Sequence, residues 1–369
     1  MPYCRKCGTK LSDEAQYCYK CGAQVVASTT QTPPPPPPQQ PRTYESQPSK
    51  PLRKNPLFLP VMFIIAITIS ALVIAVVASA PLNPVNFSQQ EQVPMSGQNR
   101  LNLNFDANIG DIYIYTNLTG SNMVLMDVSA KGGTSLFGPN QPVTFTVQNH
   151  EENSTQMVTA DVSAPNEFPF AGNLKVVCNI YVNPSADLML NVNSQVGNVY
   201  MDADSNAKIS MLKLETTTGD SNLDLQKGAE VNGGLTLKTA TGNLWLSMNE
   251  ADIKGNYTLE LTTATGNVNM NITQTEKFND TLQVNGHSGT GNINLDSLVI
   301  DGEVAARIET NTGLGQVRLD VENFNGNQSP IQSNNYPSSS NINMNFNTGV
   351  GNINLNASYK TTIEPTISV

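Results

Sequence analysis

Thr239-Ala240-Thr241-Gly242-Asn243-Leu244-Trp245-Leu246 returns one copy later as Thr263-Ala264-Thr265-Gly266-Asn267-Val268-Asn269-Met270. Aligning the chain on that glycine exposes further copies at Gly110, Gly197, Gly219, Gly291, Gly315 and Gly351. From Gly197 to Gly315 the steps are 22, 23, 24, 25 and 24 residues, whereas the first step is 87 and the last 36. A period of this length marks stacked, similar units. Two and four positions after the glycine the residues are aliphatic, as in Leu244 and Leu246, Val268 and Met270, Ile293 and Leu295. Between them lies an outward-leaning column: Tyr113, Tyr200, Asn222, Trp245, Asn269, Asn294, Arg318 and Asn354. This alternation predicts a half-buried strand. A second strand precedes the glycine, with Leu190, Leu212, Leu235, Leu259 and Val284 seven positions before it. Glycine relieves the steric cost of the sharp corner between the strands, and the Asn or Asp that follows it suits a turn; Gln316 departs from that pattern.

Two short strands per copy, with one corner motif per copy, predict a mainly β fold in which the copies coil as a β-solenoid. A β-sandwich is the rival, but its hairpins would repeat the corner once per strand. Stacking would bring Thr216, Thr239, Thr263, Ser288, Thr312 and Thr348 into register. The repeat is clear over residues 190–356. Residues 120–190 read as irregular early coils or a capping subdomain, and the tail after Asn356 as a cap on the other end. On Thr217-Thr218-Gly219-Asp220 and the two segments quoted first, the repeat resembles an adhesin domain family of β-helical surface domains. That resemblance implies a β-helical fold and a location at the cell surface.

The residues before the repeat set its compartment. Leu57 to Ala80 carries no charged residue, and a span of about 20 apolar residues crosses a bilayer as a helix. Arg42, Lys50, Arg53 and Lys54 precede it, while the first basic residue beyond is Arg100. Basic flanks stay inside, so the N-terminus is expected in the cytoplasm and the C-terminal domain outside. Ala78-Ser79-Ala80 resembles a cleavage site, but 56 residues precede the apolar run, and a signal peptide starts near its N-terminus. The expected organisation is a zinc ribbon at 1–25, a Pro-rich linker at 26–56 and a transmembrane helix at 57–80. A linker at 81–98 and an adhesin-like ectodomain at 99–369 complete it. All eight N-x-S/T sequons, from Asn86 to Asn356, follow the span.

Charge divides at the same place. Residues 1–80 hold 8 Lys/Arg and 3 Asp/Glu, and residues 81–369 hold 12 and 27. The acidic outer part repels phosphate backbones, which argues against nucleic-acid binding there. It keeps one cysteine, Cys178, which cannot form an internal disulfide and reads as a small buried apolar residue.

The other cysteines form Cys4-Arg5-Lys6-Cys7-Gly8 and Cys18-Tyr19-Lys20-Cys21-Gly22. Two such knuckles bring four thiolates together, a donor set that suits one structural Zn2+ and leaves no open position for catalysis. Rubredoxin-like iron and a redox pair are the alternatives. The segment resembles the short zinc-ribbon family, which implies zinc binding by Cys4, Cys7, Cys18 and Cys21. A ribbon of this size can also dock a cytosolic protein. Pro33 to Pro38 forms an extended spacer before the span.

Signs of catalysis are sparse. His150 and His287 lie far apart in the sequence, and Asp202, Asp204, Asp220 and Asp224 read as solvated turn residues. Trp245, the one tryptophan, falls in the outward column and could stack on a sugar. The leading expectation is a non-catalytic, membrane-anchored surface protein that binds a protein or glycan outside. A transmembrane regulatory protein comes second, and an extracellular carbohydrate-active enzyme third.

Overall fold

The computed structural model describes residues 83–95, 97–134, 143–164 and 174–360, with the isolated positions 10, 20 and 68. The four ribbon cysteines lie outside the described residues, as does the 57–80 segment apart from Thr68. Among the described residues no helix is long and apolar enough to cross a membrane.

What is described is almost wholly β. Each glycine copy contributes the strand before its corner to one sheet and the strand after it to another. We call the sheet holding Leu244–Asn249 the front sheet and the one holding Leu235–Thr241 the back sheet. Both stay open and share no strand. Neighbouring copies pair in parallel and in register: Leu223 lies beside Leu246 and Leu246 beside Met270. The inward columns of the two sheets meet in one apolar core, with Leu214, Leu237, Leu246 and Leu261 at most 2 % exposed.

Three ladders run along the corners, each built from one column of the repeat. The Thr or Ser three positions before a glycine donates its hydroxyl to the glycine carbonyl of the adjacent tier, as in Thr216 to Gly197 at 2.8 Å and Thr263 to Gly242 at 3.1 Å. The Asn or Asp after the glycine accepts from the backbone N–H of the next tier. Asn243 accepts from Asn267 at 3.0 Å, and Asn267 from Asn292 at 2.8 Å. These bonds satisfy corner groups that would otherwise be half-buried and unpaired. The glycines form the third ladder. Their φ values are positive, and a Cβ on Gly266 would lie 1.8 Å from the Gly242 carbonyl oxygen. No larger residue fits there.

The spatial order of tiers departs from the chain order at both ends. Both sheets run Gly110, Gly197, Gly219, Gly242, Gly266, Gly291, Gly351, Gly315. The last copy is therefore wedged between the Gly291 and Gly315 tiers, and its strand Ile353–Lys360 is an interior strand, not the expected cap. The ladders follow this order. Thr348 donates to Gly291 at 2.8 Å and Thr312 to Gly351 at 2.9 Å. Gln316 ends the side-chain ladder, its N–H bonding Asn352 with no tier beyond it among the described residues. At the other end, Thr155–Ser163 and Lys175–Val182 form an additional tier outside the Gly110 copy, in parallel with Arg100–Ala107 and Asp111–Tyr115.

Residues 81–98, expected as a linker, contain the strand Asn83–Pro94, paired antiparallel with Asn122–Thr134. Its pattern is weak, because Gln89 and Glu91 stand where apolar residues would mark a core face. Its partner strand, antiparallel to Lys175–Val182, supplies the missing apolar surface with Val124, Met126 and Val128. Where irregular early coils or a capping subdomain were expected, the described residues of 120–190 form one regular tier and antiparallel strands at the end of the stack. Cys178 is fully buried there. Burial, with smaller contributions from Asp111 and Asp127, pushes its thiol up to about 12, so it stays protonated and unreactive.

Candidate functional site

The outward face of the front sheet is where the fold gathers chemistry. Because the strands pair in register, one column of the sequence becomes one row across the sheet. That row reads Tyr113, Tyr200, Asn222, Trp245, Asn269, Asn294, Asn354, Arg318. A second row begins with Tyr181 beside Tyr115 and continues through Asp202 and Asp224. Tyr113 and Tyr200 stack with ring centroids 5.0 Å apart and planes 9° from parallel; Tyr115 and Tyr181 stack at 5.4 Å and 21°. Trp245 is 45 % exposed. Five aromatic side chains separated by up to 132 residues in the chain therefore share one end of one face.

The Asn end of the row is occupied with itself. Asn294 donates to Asn269 at 2.8 Å, and Asn354 to Asn294 at 2.8 Å. Asn222 differs. It lies between Tyr200 and Trp245, and its Oδ1 is buried without a hydrogen-bond donor among the described residues. Burial first, then Tyr113 and the carboxylates of Asp111 and Asp220, raise the Tyr200 phenol above its ordinary value. Tyr113 is raised by burial and then by Asp111 and Tyr115. Both phenols are neutral donors at physiological pH.

The remaining sequence candidates do not converge. Asp220 is engaged in the corner ladder, its Oδ1 accepting from the Asn243 backbone at 2.7 Å. Asp202 and Asp224 are neighbours on the front sheet, and Asp202 also accepts from Gln226 at 2.6 Å. Asp204 accepts from the Ser205 backbone. His150 is exposed 3.9 Å from Glu152, on a different sheet from these carboxylates, and His287 lies between Thr262 and Asn347 on the back sheet. Among the described residues no group of three or more His, Cys, Asp or Glu side chains is placed to hold a metal ion.

The sequence columns already align Tyr113, Tyr200 and Trp245. They miss Tyr181, because the 155–182 tier carries no corner glycine on which to align it, and Tyr115, because it lies one position beyond the columns compared, where the next copies carry Asp202 and Asp224. The usable signal was the alternation Val176, Cys178, Ile180, which places Asn179 and Tyr181 on the opposite face.

Residues 3–25 match the zinc-ribbon domain family. A comparison with curated proteins finds no match. Among solved structures, the chain is similar to a proposed cell adhesion protein from Clostridium sporogenes, at 14 % identity and a TM-score of 0.37, covering 75 % of this chain and 100 % of that one. It is also similar to a proposed adhesin from Bacteroides fragilis, at 14 % identity, TM-score 0.29 and coverage of 73 % and 96 %. A proposed adhesin from Parabacteroides distasonis shows 12 % identity, TM-score 0.29 and coverage of 76 % and 98 %.

The ribbon match falls on both cysteine knuckles. Cys4, Cys7, Cys18 and Cys21 offer four soft thiolates, the donor chemistry of a structural zinc site. Elemental analysis of the purified full chain is expected to give one zinc per chain, falling to below one-tenth in Cys7→Ser/Cys21→Ser. Iron in place of zinc, or zinc retained by the double variant, would rule out this ligand set.

Proposed function

We propose that this chain is a single-pass, membrane-anchored surface protein whose outer part is a non-catalytic, adhesin-like β-solenoid that binds at the cell envelope. In this reading residues 57–80 cross the membrane, and the zinc ribbon sits in the cytoplasm, where it docks a protein partner. The observation that carries the binding role is the aromatic end of the front sheet. Large side chains with a polar tip, held on a ladder-braced sheet and partly open to solvent, are the side chains from which binding hot spots are built. The uncharged 57–80 run and the charge asymmetry around it support the topology.

The binding role is tested by sedimenting detergent-solubilised full chain with envelope fragments of the source cells. Tyr200→Ala/Trp245→Ala is expected to lower retention at least fivefold, while Thr262→Ala, on the outward side of the back sheet, leaves it unchanged. Equal retention of all three proteins would overturn the reading.

A further inference from the structure

We infer that residues 361–369 complete the front sheet by pairing, antiparallel, with the free edge of Val317–Glu322 in the same chain. These nine residues lie outside the described ones. Val317–Glu322 is the last strand of the front sheet and pairs, among the described residues, with Ile353–Lys360 alone. Ile353 donates its N–H to the Gln316 carbonyl, so Gln316, Arg318 and Asp320 turn their backbone groups towards that neighbour. Alternation then aims the N–H and C=O of Val317, Leu319 and Val321 outward, along a row open to a further strand.

The side chains at this edge are also short of a neighbour. Val317 is 38 % exposed, whereas Ile293 and Ile353 in the same column are at 0 %. Leu319 is half-buried, whereas Leu295 and Leu355 are buried. The back sheet does not stop at this tier: Ile331–Ser333 and Phe324–Asn325 extend it by two short strands past Val304–Leu314. The front layer therefore ends short of the back one. Val317, Leu319 and Thr310 line a cavity of about 520 Å3 there, together with Asn327, Gln328 and Ser329. One added strand fills that step.

The sequence after Lys360 suits that place. Ile363, Pro365, Ile367 and Val369 alternate with Glu364, Thr366 and Ser368, the pattern of a strand with one apolar face. Lys360 ends the neighbouring strand, so the segment has to pass one strand to reach the edge, two inter-strand spacings or about 10 Å. Residues 361–364 span up to about 13 Å when extended. Running back along the edge, Ile367 then lies opposite Leu319 and Val369 opposite Val317, with Pro365 opposite Val321. The carbonyls of these three residues accept the three outward N–H groups. Pro365 has no N–H to return, and so stands where the added strand begins. Tethered this close, the segment outcompetes the same segment from another chain at ordinary concentrations.

Amide hydrogen exchange, read residue by residue on the full chain in detergent, tests the pairing. Val317, Leu319 and Val321 should be protected as well as Arg318 and Asp320. A chain ending at Lys360, and the full chain carrying Ile367→Asp/Val369→Asp, should each lose at least tenfold of the protection at Val317, Leu319 and Val321. Arg318 and Asp320, bonded to the other neighbour, and Leu244–Asn249 in the middle of the sheet should keep theirs, which excludes general unfolding. Equal protection of Val317, Leu319 and Val321 in all three proteins, or fast exchange there in the parent, would overturn the inference. So would parent protection that falls on twentyfold dilution, since that assigns the edge to a second copy.

Discussion

Replacing Gly266 with alanine is expected to cost about 4 kcal/mol or more, enough to unfold the stack at moderate temperature. Two penalties combine at that position. The backbone φ is +148°, in a region that L side chains rarely adopt. The added methyl would also lie 1.8 Å from the Gly242 carbonyl oxygen, and both groups belong to backbone fixed by corner hydrogen bonds. Separating the two tiers would relieve the clash only by breaking the Thr263 and Asn267 bonds that hold them together. The matched control is Gly234→Ala, whose φ is not left-handed and whose nearest contact would be an ordinary 3.8 Å to the Thr258 carbonyl. That variant should stay within about 0.5 kcal/mol of the parent. Thermal unfolding followed by circular dichroism decides the matter. Equal melting temperatures for the two variants would show that the corner glycines are not in backbone contact.

Leu246→Asp should be comparably severe. Leu246 is 2 % exposed, in the inward column between Leu223 and Met270, with apolar side chains from the back sheet opposite. A carboxylate there has no cation and no donor within the column. Burying it costs several kcal/mol whether it ionises or takes up a proton, so about 4 kcal/mol or more is expected. Because neighbouring tiers stabilise one another, the loss should spread along the stack rather than fray one copy. Asn271→Asp places the same charge on the exposed outward side of the next tier and should shift stability by no more than about 0.5 kcal/mol. Urea unfolding of both variants separates the outcomes. A folded Leu246→Asp protein with an unchanged midpoint would mean that the inward and outward columns have been exchanged.

The period of the corner glycine made the tier, its two strands and their faces readable from the sequence. Leu246 and Trp245 lie on the sides that alternation assigns them, and Thr216, Thr239, Thr263 and Ser288, each three positions before its glycine, are in register. The order of the tiers was harder to read, since periodicity says that copies stack and not which copy neighbours which. Two residues carried that information. Gln316 breaks the Asn/Asp column because its tier is the last in space, although not in sequence. Gly286 occupies an inward position held by Leu214, Leu237 and Leu261 in the three preceding copies, and the ring of Phe346, sixty residues on, passes 3.0 Å from where its Cβ would be. A missing side chain in one copy and an oversized one in another identify those copies as neighbours. The strand at 83–94 escaped detection for a different reason: its own alternation is too polar, and its pairing depends on a long-range partner at 122–134. Tyr181 was hidden for another reason: its tier is built without the glycine that marks the others.

The exchanged tiers at both ends bear on how such a protein can change over evolutionary time. Tandem arrays usually lengthen or shorten when a terminal copy is duplicated or lost. Here the Gly351 copy is clamped between the Gly291 and Gly315 tiers, and the Gly110 copy is likewise enclosed at the opposite end. Loss of either of these copies would disturb two interfaces at once. Removing the Gly351 or the Gly110 copy would thus take away the partner of the outermost tier, so neither can be dropped on its own.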